Sequence, residues 1–113
     1  MDPGLRSGVI PLAAAKGLIP GPAGEHFGTA LTRGSLRLLL SLPVSPNQQR
    51  PHEQDELYFA VQGKGVLVHD GQRTPFSAGD AMFVAAGIDH HFADFTQDLA
   101  VWVVFCGPAG GEA

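Results

Sequence analysis

Residues 50–63 read Arg50-Pro51-His52-Glu53-Gln54-Asp55-Glu56-Leu57-Tyr58-Phe59-Ala60-Val61-Gln62-Gly63. From Leu57 to Gln62 the residues are mostly aromatic, branched or apolar, and Gly63-Lys64-Gly65 closes the run, which predicts a strand. Side chains alternate along a strand, so Arg50, His52, Gln54 and Glu56 fall on one side and Tyr58 continues it. A carboxylate and an imidazole turned toward an interior are costly unless they are paired or bound to a metal. The stretch predicts a β protein with polar chemistry on its inner face.

The same pattern repeats outward in both directions. Phe27 opens a strand, and Ser35 to Leu42 is a near-continuous apolar run interrupted by Arg37. Pro43, Pro46 and Pro51 then mark a loop, since proline cannot donate to a ladder. Val66 to His69 meets Asp70-Gly71, a strong hairpin signal, and Thr74 to Ser77 reads as the return strand. Ala81 to Val84, His91 to Phe95 and Leu99 to Cys106 follow, separated by turns at Ala78-Gly79-Asp80 and Gly87. About eight short strands at regular spacing predict an all-β sandwich or barrel. Residues 1–25, rich in Gly, Pro and Ala, read as an irregular arm with one helical turn at Ala13 to Lys16. Residues 26–107 read as the β domain and residues 108–113 as a loose, flexible tail.

The chain has 113 residues, room for one domain. Fifteen Gly and nine Pro cut it into short pieces and argue against long helices. The net charge of −4, with no run of Lys or Arg, argues against a nucleic-acid partner. No apolar stretch approaches the ~20 residues of a membrane helix. The apolar piece Val9 to Ile19 is broken by Pro11, Lys16 and Gly17 and does not read as a signal sequence. The single cysteine, Cys106, fits a reducing compartment, and a cytoplasmic location is expected.

Downstream, Gly79 precedes Gly87-Ile88-Asp89-His90. His52 and Glu56, with His90 from a distant strand, supply two imidazoles and one carboxylate, a set suited to a divalent metal of borderline softness. Iron, manganese, nickel, copper and zinc all fit it. Gln54 is a further weak oxygen ligand or hydrogen-bond donor. Arg50, a permanent cation on the same side, can turn outward, bind an anionic substrate, or pair with Glu56 in a metal-free site. Tyr58 and Arg50 are the catalytic candidates, and Tyr58 reads equally as a core residue, as does Trp102. His91 alternates to the other side, His26 and His69 lie near strand ends as solvated groups, and Cys106 reads as an inert core thiol.

These residues resemble the two signature motifs of the cupin superfamily. The first is Gly, five residues, His-x-His, three or four residues, Glu, six residues, Gly; it falls on Val44, Arg50, His52, Glu56 and Gly63. The second is Gly, five residues, Pro-x-Gly, two residues, His, three residues, Asn; it falls on Gly79, Ala85, Gly87, His90 and Asp94. The chain departs from the pattern at Val44, Arg50, Ala85 and Asp94. With the ending Val101-Trp102-Val103-Val104-Phe105, it is similar to small single-domain bacterial cupins over residues 27 to 107. The resemblance implies a single jelly-roll (double-stranded β-helix) barrel and a site of three His and one Glu, of which Arg50 removes one. It implies a metal-dependent enzyme, dioxygenase- or isomerase-like, acting on a small molecule. A non-catalytic ligand-binding barrel with a degenerate, metal-free site is the alternative. It also implies a homodimer, formed through a sheet edge or through the arm from Leu5 to Ala23.

Overall fold

Strand β3, Asp55–Gln62, carries the run read above and lies deep within a five-stranded antiparallel sheet. This computed structural model describes residues 6–47 and 49–112. Around β3 stand β1 (Phe27–Arg33), β2 (Leu36–Ser41), β6 (Ala81–Val84) and β8 (Ala100–Cys106), in the order β1-β2-β8-β3-β6. A second, three-stranded sheet has the order β5-β4-β7, from β4 (Lys64–His69), β5 (Gln72–Ser77) and β7 (His90–Ala93). The eight strands match the sequence expectation closely. The architecture is a two-sheet jelly roll whose hydrogen bonding does not run round into a closed barrel.

Local chemistry accounts for the joints. Asp70 (φ 48°) and Gly71 (φ 78°) both occupy the left-handed region, as a two-residue hairpin requires, and they join β4 to β5. Pro75 interrupts the ladder without penalty because β5 is an edge strand. Gly63 (φ 80°) turns β3 into β4, and a Cβ there would lie 2.9 Å from Leu99 Cα. The close approach and the positive φ both demand glycine.

The inner faces make one core. Tyr58, Ala60, Val101, Val103 and Phe105 of the large sheet meet Leu67, Phe76 and Phe92 of the small one. Helix α1, Leu12–Lys16, falls where the helical turn was expected. The arm lies against its own chain: Ala15, Ala30 and Leu40 are buried, and a Cβ on Gly28 would meet Leu18 Cβ at 2.6 Å. The end of the chain, expected to be loose, is pinned over residues 110–112. Gly110 N donates to Glu53 O, and Glu112 N donates to Asp55 Oδ2. Among the described residues no helix is long and apolar enough to cross a membrane.

The outer face of the large sheet is apolar as well. Leu38, Val104, Leu57 and Phe83 stand in one cross-strand row, and Leu40, Trp102, Phe59 and Ala81 in the next. Phe83 is 58% exposed and Phe59 39%.

Candidate metal centre and its cavity

Glu56 enters the interior because β3 alternates, with Glu56, Tyr58 and Ala60 buried and Leu57 and Phe59 on the outer side. Its neighbour Asp55 pins the start of the strand by accepting hydrogen bonds from Ala86 N and Glu112 N. Those two donors hold the Asp55 carboxyl below its ordinary range. His90 opens β7 in the opposite sheet, after a turn at Gly87 (φ 81°). His52 precedes β3 in the proline-marked loop. The two motif segments touch directly, since Gly87 N donates to the backbone oxygen of His52.

The three side chains converge. Each offers a ligand atom, and those atoms lie within 4.8 Å of one another. His90 Nε2 is 3.0 Å from Glu56 Oε1, and His52 Nε2 is 3.8 Å from Glu56 Oε2. Glu56 and His90 are each 2% exposed, whereas His52 stands at the rim. His90 Nδ1 donates to Ile88 O, which leaves Nε2 facing the centre, the arrangement that orients a metal-binding imidazole.

Two observations test whether a cation fits. Glu56 Oε1 is buried and has no hydrogen-bond partner among the described residues; its nearest polar contact is the ion-pair approach of His90 Nε2 at 3.0 Å. An orphaned buried carboxylate oxygen costs about 1–3 kcal/mol or more, which a cation would offset. Burial holds His52 below its ordinary pKa, with His90 and Arg37 adding to the effect and Glu56 opposing it, so its ring is neutral and free to ligate. For His90, burial works downward, but the Glu56 carboxylate and the Ile88 carbonyl outweigh it and raise the pKa. An imidazole that attracts a proton beside a carboxylate is equally a site for another cation. The donor set fits a divalent metal.

Tyr58 belongs to this cluster as well as to the core. Its hydroxyl lies 2.9 Å from Gln49 Oε1 and 3.0 Å from His90 Nε2. Burial, then the Glu56 charge, push its pKa far above the ordinary value. It is therefore a hydrogen-bond donor and not a base.

Two sequence expectations are corrected. Gln54 does not face the centre, because residues 50–54 precede β3 and strand alternation does not extend to them. Its amide donates to Ser35 O and Gly107 O, outside the cavity. Arg50 does not pair with Glu56, whose close side-chain neighbours are the imidazoles of His52 and His90. Arg50 is instead exposed on the cavity wall. His91 takes the opposite face of β7 from His90, as alternation predicts.

His52 and Glu56 of the centre line a cavity of about 550 Å³. Sequence reasoning missed several of the residues that shape it. Asn47 Oδ1 accepts from Phe92 N and from Gln49 Nε2, and so ties the proline loop to β7 and to Tyr58. His26 and Arg37 also line the wall. The one signal for Arg37 was a charge inside an apolar strand.

Comparison with known proteins bears on the fold and the family. The uncharacterized protein SCO3923 of Streptomyces coelicolor is 39% identical over 62 residues, covering 55% of this chain and 59% of that protein. The chain thus spans less than two thirds of this curated relative's length. Among solved structures, a Cupin 2 conserved barrel domain protein from Salinispora arenicola superimposes with a TM-score of 0.61 at 20% identity, covering 72% of this chain and 74% of the other. An iron(II) form of HppE superimposes with a TM-score of 0.59 at 21% identity, covering 71% and 48%. At these identities the superpositions speak for the fold. The cupin-domain family Cupin_2 matches residues 41–106, which hold β3 to β8 together with His52, Glu56 and His90. That match takes in more than half of the chain, which therefore belongs to the Cupin_2 family of cupin domains.

Proposed function

We propose that this chain binds one divalent metal ion through His52, Glu56 and His90. In this reading it is a metal-dependent enzyme, dioxygenase- or isomerase-like, acting on a small molecule in the adjoining cavity. The observation that carries the reading is the buried Glu56 Oε1, without a hydrogen bond and facing two imidazoles. The iron(II) named for one structural neighbour supports the same reading. A bound metal would supply Lewis-acid or redox chemistry, depending on its identity. The chain's own residues do the rest. His90 is oriented by Ile88 O, Glu56 is fixed by its place in β3, and Leu39, Phe92, Val103 and Phe105 supply an apolar part of the cavity wall. Tyr58 donates to Gln49 when His90 Nε2 is engaged, and its hydroxyl is a neutral donor beside the centre.

The reading extends to assembly and location. A homodimer is supported by the exposed Phe59 and Phe83 on the outer face of the large sheet, and a cytoplasmic setting by the lone cysteine. Elemental analysis of tag-free protein beside His52→Ala is the test. About one equivalent of iron, manganese, nickel, copper or zinc, lost in the variant, is expected. No metal in the parent after reconstitution would overturn the metalloenzyme reading and leave a non-catalytic ligand-binding cupin.

A further inference from the structure

The cavity carries an imbalance of charge. Arg37 and Arg50 both line it, and the sole carboxylate among its described lining residues is Glu56, already committed to His52 and His90. Neither arginine has a carboxylate partner among the described residues. Arg37 donates to the neutral oxygen of Gln54, at 3.5 Å, and lies with its guanidinium 4.6 Å over the Phe105 ring. The chain has a net charge of −4, yet among the described residues no acidic side chain is paired with these two cations.

Register places Arg37 with respect to the centre. Arg37 pairs with Phe105, and Phe105 with Glu56, in one row across β2, β8 and β3. Two inter-strand steps put its backbone roughly 10 Å from that of Glu56. The Phe105 ring fills the interval, 4.7 Å from the His52 ring. The guanidinium is therefore stacked and held at one end of an apolar path whose other end is the His-His-Glu cluster.

We propose that the cavity takes a small organic anion, an apolar body bearing a carboxylate or a phosphate, and that Arg37 selects it by binding that group, with Arg50 beside it. The planar fork of arginine matches either group with paired hydrogen bonds, and stacking on Phe105 pre-orients the fork. The far end of such a ligand reaches His52 and Tyr58. This inference rests on the cavity being the small-molecule site; it does not require the metal.

The test is a titration of isotope-labelled protein followed by NMR, as purified and again after chelation. The three probes are benzoate, phenyl phosphate and benzyl alcohol, which share a ring and differ in the charged group. Both anions, or one of them, should shift resonances of Phe105, His52 and the Arg37 side chain, and should bind about ten-fold more tightly than the alcohol. Whichever anion leads names the group. Arg37→Gln should remove the preference, Arg37→Lys should restore part of it, and the spectra themselves report whether each variant is folded. Equal binding of the alcohol, shifts confined to the outer face of the sheet, no binding by any probe, or an undiminished preference in Arg37→Gln would each overturn the proposal. Metal content with no anion preference would sink this inference alone. Anion preference that survives chelation, in a protein found to hold no metal, would sink the metal reading alone.

Discussion

Tyr58 is the only tyrosine in the chain, so its ionisation can be followed without interference. Burial first, and the Glu56 charge second, hold its folded pKa far above the ordinary value. Between the ordinary tyrosine pKa near 10 and that raised value the unfolded chain binds fewer protons than the folded one, so stability falls as pH rises. Below about pH 10 the contribution is fully present. In metal-free protein, tyrosinate absorbance at 295 nm should therefore appear together with loss of tertiary structure by near-ultraviolet circular dichroism. A separate titration near pH 10 in the folded protein would contradict the burial described here. Tyr58→Phe keeps the ring packing and removes the hydroxyl, so it should cost about 1 kcal/mol of stability in denaturant titrations. Because the hydroxyl contacts His90 Nε2, the nitrogen that would hold the metal, its loss should not weaken metal affinity, measured by competition with a chelating dye.

The loop from Pro43 to Gln54 decides how well the centre is held. Asn47 serves as its rivet, because one side-chain oxygen accepts from both Phe92 N and Gln49 Nε2. Asn47→Ala would leave the Phe92 amide without its partner and free Gln49 from one of its two contacts. The expected loss is about 1–3 kcal/mol by urea denaturation, with a matching loss in metal affinity. An unchanged midpoint would mean that the loop is held by other contacts. This loop is also where the sequence was least legible. The strands were readable because alternation and turn residues act over a few positions, and all eight appear close to their expected places. His52, Glu56 and His90 were readable because two motif spacings and an inward face coincide. Gln54 was misplaced because the period of two was carried back past Asp55, where the chain is no longer extended in a sheet. Asn47, Gln49 and Arg37 were missed because their roles depend on which strands lie opposite them, and local spacing carries no such information.

Across the whole molecule, folding and metal binding should be linked. A ligand that binds only the folded state stabilises it by mass action, by about 2.7 kcal/mol at a hundred-fold excess over Kd. Nickel(II) in such excess should raise the melting temperature by several degrees, and should leave His52→Ala unmoved. An equal rise in the variant would place the metal elsewhere. The apolar outer rows make a second prediction. Phe83, on edge strand β6 and 58% exposed, is the most accessible side chain of the Leu38–Val104–Leu57–Phe83 row. A charge there should oppose packing of that face against a second copy. Phe83→Asp should shift the mass measured by light scattering from dimer to monomer while the circular dichroism spectrum stays that of the parent. A parent that is monomeric, or a variant that stays dimeric, would remove this face from the assembly.

Strand β3 serves both surfaces with adjacent residues: Glu56 and Tyr58 inward, Leu57 and Phe59 outward. It therefore has something like a reading frame, with a period of two. A single inserted residue near position 56 would exchange the two sets, placing leucine and phenylalanine at the centre and glutamate and tyrosine on the apolar face. Two inserted residues would restore the parity. In a library of short insertions across the chain, β3 should thus reject odd lengths more severely than even ones, a signature that a plain packing strand facing one core would show only weakly.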